Sequence, residues 1–157
     1  LLKELQIKDE LTYIFISHDL SVVKYITDEI MVMYLGNVME KGETDQIFDN
    51  PLHPYTKALF SAVPTPDPDA KMDRIILKGD IPSPANPPKG CKFHTRCEKC
   101  MNVCKFVEPK FVERDENHFV TCHLYDKEVM NNLEKNNLEY EKMIQEESKL
   151  KEKENKK

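Results

Sequence analysis

Glycine is scarce in this 157-residue chain, with four residues at positions 36, 42, 79 and 90. A loop that cradles phosphates through its backbone N–H groups needs glycines close together, as in G-x-x-x-x-G-K-S/T, and these four cannot assemble one. Long apolar runs are also missing. The longest, Tyr13 to Ile16 and Ile30 to Leu35, fall far short of the roughly 18 residues that span a bilayer, so any membrane contact must run through a partner. Lys and Arg (23) are outnumbered by Asp and Glu (28), for a net charge of -5. No basic cluster is dense enough for the electrostatic footprint of a nucleic-acid binder, and that partner is excluded. An initiator Met and a charged-then-apolar leader are absent, so Leu1 is expected to lie inside a longer protein and not at a signal peptide.

Cysteine is present in a telling way. All five lie between Cys91 and Cys122, spaced Cys91-x5-Cys97-x2-Cys100-x3-Cys104-x17-Cys122. An odd count in a chain without export signals disfavours a disulfide framework, and clustered thiols in a reducing compartment point to metal. Soft thiolates select zinc or iron–sulfur centres. Typical zinc modules pair two C-x2-C units, whereas here one such pair sits among irregular intervals, so the spacing favours neither metal. The segment from Gly90 to Cys122 is too short and polar to fold on apolar burial alone, which makes its cysteines natural staples.

With 39% hydrophobic and 32% charged residues, the composition suits one small domain with a tail. Residues 1–8 read as the end of an amphipathic helix. Thr12 to Ser17 (TYIFIS) is continuously apolar and rich in aromatic and β-branched residues, which predicts a strand buried on both faces. Leu20 to Ile26 shows a helical face. Ile30 to Glu40 reads as a hairpin turning at Gly36-Asn37, its second strand ending at Gly42. Thr44 is placed to cap a short helix through Phe48, and Pro54 to open another through Val63, with Tyr55, Ala58 and Leu59 on its inward face. Met31, Met33 and Met39 are expected as core fillers. Pro64 to Pro88 holds most of the ten prolines and should run extended over a surface. From Asp126 onward charges of both signs dominate, so the compact part is expected to end near Tyr125, followed by a solvated helix and the run KLKEKENKK.

Open α/β sheets bind ligands beyond the carboxyl ends of their strands, the position of Ser17-His18-Asp19. His18 there can donate to a terminal phosphate, or else cap the next helix or bond a backbone carbonyl. The run from Tyr13 through Leu20, with Val22-Val23, Asp28 to Gly36 and Val38 to Gly42, closely resembles the end of the nucleotide-binding domain of ABC transporters. That resemblance implies that His18 is the switch histidine, which contacts the γ-phosphate and helps place the attacking water. Phosphoryl transfer needs further partners. The chain has no phosphate loop, no strand ending in an acidic pair and no signature motif of Leu-Ser-Gly-Gly-Gln type, so these residues alone should not hydrolyse ATP.

Asn50-Pro-Leu-His-Pro-Tyr-Thr-Lys-Ala-Leu59, Leu77 to Pro84, Asn86 to Pro88 and Gly90-Cys91 resemble the C-terminal extension of the oligopeptide and dipeptide ATP-binding subunits of ABC importers. This likeness runs from about Leu1 to Leu124. It implies that Cys91, Cys97, Cys104 and Cys122 hold a 4Fe-4S cluster, with zinc as the alternative. Cys100 departs from the family pattern. It is a spare thiol, a ligand replacing Cys97 or Cys104, or part of a zinc site with His94, His118 or His123.

The fold class expected is therefore α/β: the C-terminal edge of a P-loop NTPase domain of ABC type over 1–49, a His-Pro-Tyr helix and Pro-rich linker over 50–89, a small irregular Cys-rich, metal-stapled domain over 90–125, and a charged helical or disordered tail over 126–157. The function implied is the C-terminal part of the ATP-hydrolysing subunit that energises peptide import. Its cofactor would be ATP with magnesium. Its partners would be a second ATP-binding subunit, transmembrane permease subunits and, indirectly, a peptide-binding protein, at the cytoplasmic face of the membrane. The rival reading is a stand-alone iron–sulfur or zinc-binding interaction module without ATPase activity.

Overall fold

A computed structural model describes residues 2–63 and 74–154. Leu1, the first half of the Pro-rich stretch and the last residues of the charged run lie outside the described residues. The elements in order are α1 (Leu2–Lys8), α2 (Leu20–Ile26), β1 (Glu29–Tyr34), β2 (Asn37–Glu43), α3 (Thr44–Asp49), α4 (Pro54–Ser61), β3 (Phe111–Asp115), β4 (His118–Thr121), α5 (Lys127–Asn131) and α6 (Leu133–Glu154), with 3-10 turns at His94–Arg96, Asn102–Lys105 and His123–Tyr125. Helices thus combine with one antiparallel sheet of order β1-β2-β4-β3.

The first hairpin forms as expected, but it turns one residue earlier. Tyr34 pairs with Asn37, leaving Leu35 (φ 47°) and Gly36 (φ 77°) as the central residues. Two successive positive φ values are the mirror-image turn that matches strand twist. Ile30, Val32 and Tyr34 point inward from β1 while Glu29, Met31 and Met33 point out. Of the three methionines expected in the core, only Met39 is there, 1% exposed, against 52% for Met31 and 51% for Met33. The sheet alternates sides every residue, so two positions of even spacing share one fate, and that fate here is the outer face.

Val23 of α2 and Ile47 of α3 pack against Ile30 and Val32, each buried side chain contributing about 1.5–3 kcal/mol. Thr44 is the first helical residue of α3 and not its cap, which is Glu43. The Thr44 hydroxyl instead donates to the carbonyl of Thr27 at 2.8 Å, tying the α3 start to the α2 end. Pro54 occupies the first turn of α4 as expected, and that helix ends at Ser61, two residues short of Val63.

Two expectations fail. Thr12 to Ser17 is no strand: it is exposed, Ile14 and Ile16 each to 93%. Its apolar run asks for covering on both faces, and no described segment pairs with it. The segment after Gly90 is less irregular than expected. Phe111–Asp115 and His118–Thr121 form a second hairpin around Asn117, at φ 56°, a left-handed position that Asn tolerates. Its inner strand pairs with β2, Glu40 opposite Val120 and Lys41 opposite Phe119.

Candidate functional site

Ser17, His18 and Asp19 form a tight turn whose outer members face the backbone. Ser17 Oγ accepts from the Asp19 N–H at 3.0 Å, and Asp19 Oδ1 accepts from Ser21 and Val22 at 3.0 and 3.2 Å. Asp19, not His18, is therefore the cap of α2. His18 is left exposed, with no hydrogen bond or ion pair to any described residue. It lines an apolar groove of about 390 Å³ with Phe15, Ile16, residues 29–33 of β1 and Leu59.

Four of the five cysteines gather about one apolar cluster, and the fifth lies in another. Gly90 sits at φ +61°, and a Cβ there would lie 2.5 Å from the carbonyl oxygen of Cys104. Only glycine permits that approach, which lets the Cys91 N–H donate to Cys104 O at 2.9 Å. Cys91 and Cys104 are buried in one cluster with Tyr34, Met39, Phe93 and Val103, and Cys97 and Cys100 pack against it. Cys122 is buried beside Leu52 and Val120. All five thiols are free.

Burial pushes Cys104 and Cys122 up to about 12 and Cys97 up to about 11, and it raises Cys91 and Cys100 as well. Cys91 acts on Cys97, Cys104 and Cys122 electrostatically, each of which is made harder to ionise by a neighbouring thiolate. Cys91 is thus the common neighbour of the other three members of the sequence-predicted quartet, and Cys100 acts in the same way on Cys91, Cys97 and Cys104. Among the described residues, however, no group of three or more His, Cys, Asp or Glu side chains converges as a metal-ion site. The three histidines weighed as zinc ligands are each committed through one ring nitrogen: His94 Nδ1 donates to Cys91 O at 2.8 Å, His123 Nε2 to Val107 O at 2.9 Å, and His118 Nε2 to Glu40 at 2.8 Å. In the structure strand pairing and apolar packing join the segment to the rest of the fold, which the expectation of cysteine staples did not include.

Sequence reasoning missed the polar centre that joins these parts. Glu40, fully buried on β2, accepts from Leu52 N at 2.7 Å on Oε1, His53 N at 2.8 Å on Oε2, and His118 Nε2 on Oε1. The two N–H donors precede α4 and the imidazole comes from β4. His53 in turn accepts from the Tyr55 N–H at Nδ1, 3.0 Å away, and so caps α4. Burial lowers His53 to about 4, holding the ring neutral so that Nδ1 can accept. Tyr55 then reaches Tyr34 and Phe93, with centroids 4.9 and 5.3 Å away. The His-Pro-Tyr run is a cap, a helix opener and a core aromatic in succession. The signal was a lone acid within the apolar pattern Val38-Met39-Glu40, whose partners lay too far along the chain to be guessed.

Comparison with known proteins finds a family match over part of this region and a set of similar proteins. Residues 39–104 match the family described as "Oligopeptide/dipeptide transporter, C-terminal region". The chain is similar to the oligopeptide transport ATP-binding protein AppF of Bacillus subtilis (strain 168), 56% identical over 127 residues, which cover 80% of this chain and 39% of that protein. It is likewise similar to a putative peptide import ATP-binding protein of Brucella ovis, 52% identical over 122 residues, 78% of this chain and 38% of that protein. A third relative is the dipeptide transport ATP-binding protein DppF of Haemophilus influenzae, 51% identical over 126 residues, 80% of this chain and 38% of that protein. The chain therefore spans about two fifths of the length of the curated relatives it matches.

Proposed function

We propose, for a chain that belongs to the ATP-binding proteins of oligopeptide and dipeptide transport and carries their C-terminal region, that it serves the subunit whose closure over ATP and magnesium drives peptide import. The observation that carries this reading is 51–56% identity to such transport proteins over about four fifths of the chain. No described helix is long and apolar enough to cross a membrane. The reading accordingly gives translocation to separate permease subunits and places this chain against their cytoplasmic side, with a second ATP-binding subunit as its dimer partner and a peptide-binding protein feeding the permeases.

In this reading His18 is the group that reaches the terminal phosphate. Its support is the turn in which Ser17 and Asp19 are committed to backbone N–H groups while the imidazole is not. A neutral or cationic imidazole can donate to a phosphoryl oxygen and orient a water for in-line attack. The test is His18→Ala in the full-length protein. ATP binding should persist and hydrolysis should fall by at least about 100-fold; hydrolysis at the parental rate would remove His18 from the reaction.

For the cysteines we take Cys91, Cys97, Cys104 and Cys122 as ligands of a 4Fe-4S cluster within a working division at residues 49/50, 89/90 and 125/126. What supports these four as a set is that Cys97, Cys104 and Cys122 are each made harder to ionise by Cys91, which puts them near it. Such a group would supply a covalent cross-link between the strands and turns that carry its ligands. The protein's own part is to hold thiols in a dry pocket where a cation is needed to draw off their protons. Anaerobic purification with metal analysis decides it: about four irons per chain supports the cluster, and stoichiometric zinc without visible absorbance overturns it. Cys91→Ser should lose the metal.

A further inference from the structure

The charged C-terminal helix does more than trail into solvent. Along α6 the half-buried positions are Leu133, Asn137, Tyr140 and Ile144, a spacing of four, three and four that keeps one stripe facing the protein. The opposite positions, Leu138 among them at 60% exposure, face water. The stripe rests on the 3-10 turn Asn102–Lys105, the principal contact of α6 besides α5. Tyr140 stacks on Phe106 with centroids 5.5 Å apart and planes 10° apart. Phe106 N–H is bonded to Val103 O, so the ring is an extension of the turn that carries Cys104. Tyr140 and Val129 both pack against the cluster containing Cys91 and Cys104.

We propose that α6 is a removable cover over the Cys100–Cys104 turn, latched by the Tyr140–Phe106 stack, which controls how readily reagents reach those two thiols. Removable, because the helix is otherwise charged and its link to the body is short: α5 ends at Asn131, and the backbone of its cap Asn132 (φ -108°, ψ 20°) breaks the helical path between α5 and α6. One aromatic pair on an otherwise charged helix is a weak latch, which leaves a minor open population at equilibrium. Cys122 supplies an internal comparison. It is buried with Leu52 and Val120 in a different apolar cluster from the one that Tyr140 packs against.

The inference concerns the thiols themselves and stands whether or not iron binds them. The test is iodoacetamide labelling of the metal-free protein, followed site by site by mass spectrometry, in the parent, in Tyr140→Ala, in Tyr140→Phe and in the exposed-face control Leu138→Ala. Tyr140→Ala should speed labelling of Cys100 and Cys104 about fivefold, while Cys122 labels at the parental rate and the other two variants behave as the parent. Equal rates in Tyr140→Ala and the parent would overturn the cover. So would acceleration at Cys122 as well, which reports general loosening. Iron content, measured separately on anaerobic protein, tests the cluster reading and leaves this result untouched.

Discussion

Oε1 of Glu40 and Nε2 of His118 lie 2.8 Å apart across a sequence separation of 78 residues, with both side chains at 0% exposure. Glu40 also receives two backbone N–H groups, one on each oxygen. The two backbone N–H groups make Glu40 an acceptor on both oxygens, and the 2.8 Å contact is satisfied with His118 Nε2–H as a third donor. Removing the acceptor strands all three donors in a dry core. Glu40→Ala should therefore lower the unfolding free energy by about 3–5 kcal/mol, and Glu40→Gln by less, because one oxygen remains. Urea denaturation of the two variants reads the difference; a loss below about 1 kcal/mol in the alanine variant would mean that the centre is not closed as described.

Gly90 is the second sensitive point. A Cβ 2.5 Å from Cys104 O, and 2.9 Å from backbone atoms of Lys105 and Phe106, meets main chain that cannot swing aside. The positive φ adds strain of about 1 kcal/mol for any L side chain. Gly90→Ala should separate Cys91 from Cys104, seen as faster alkylation of both thiols and a lower urea midpoint than the parent.

The His53 ring gives a pH signature. Its folded value, about 4, lies below the ordinary 6.5 because burial disfavours the cation. Between those values the unfolded chain binds the extra proton, so stability rises with pH. The contribution is present in full above about pH 6.5 and is lost as pH falls toward about 4, by up to about 3 kcal/mol. His53→Asn keeps an acceptor at the cap of α4 and removes the titration. Its stability should be flatter across that window, measured by denaturant midpoints at successive pH values.

Cys100 and Cys104 should separate in metal content. The Cys100 thiol is half-buried and donates to Met101 O at 3.5 Å, whereas Cys104 is 7% exposed and shares a backbone bond with Cys91. After anaerobic purification Cys100→Ser should retain parental iron and Cys104→Ser should lose it. The reverse pattern would make Cys100 the ligand.

Local chemistry was readable where it was settled locally. Pro54 opening α4, the hairpin at Gly36 and the face of α4 carrying Ala58 depend on residues a few positions apart, and the sequence shows them directly. The apolar run Thr12 to Ser17 states that both faces need covering but says nothing of what covers them, and among the described residues nothing pairs with it. The second hairpin carried a signal as well, in His118, Val120 and Cys122 alternating after Glu116-Asn117, yet charged Glu113, Arg114 and Asp115 disguised it and the cysteines drew the interpretation. The candidate site divides the same way. Cysteine spacing marked Cys91, Cys97, Cys100 and Cys104, which gather about one apolar cluster, whereas Glu40 showed only as a lone acid in an apolar pattern, because its partners are a distant imidazole and two backbone amides, which no residue type announces.

The two-pair ladder between β2 and β4 also sets a schedule. During synthesis β2 leaves the ribosome with one edge paired to β1 and the other unpaired until the residues near His118 follow, 78 positions after Glu40. At about 5–20 residues per second that edge stays open for roughly 4–16 s, while a carboxylate destined for burial waits in water without its imidazole. An open strand edge is a template for the wrong chain, so the nascent protein is most prone to misassociation in the interval when the Pro-rich stretch is being made.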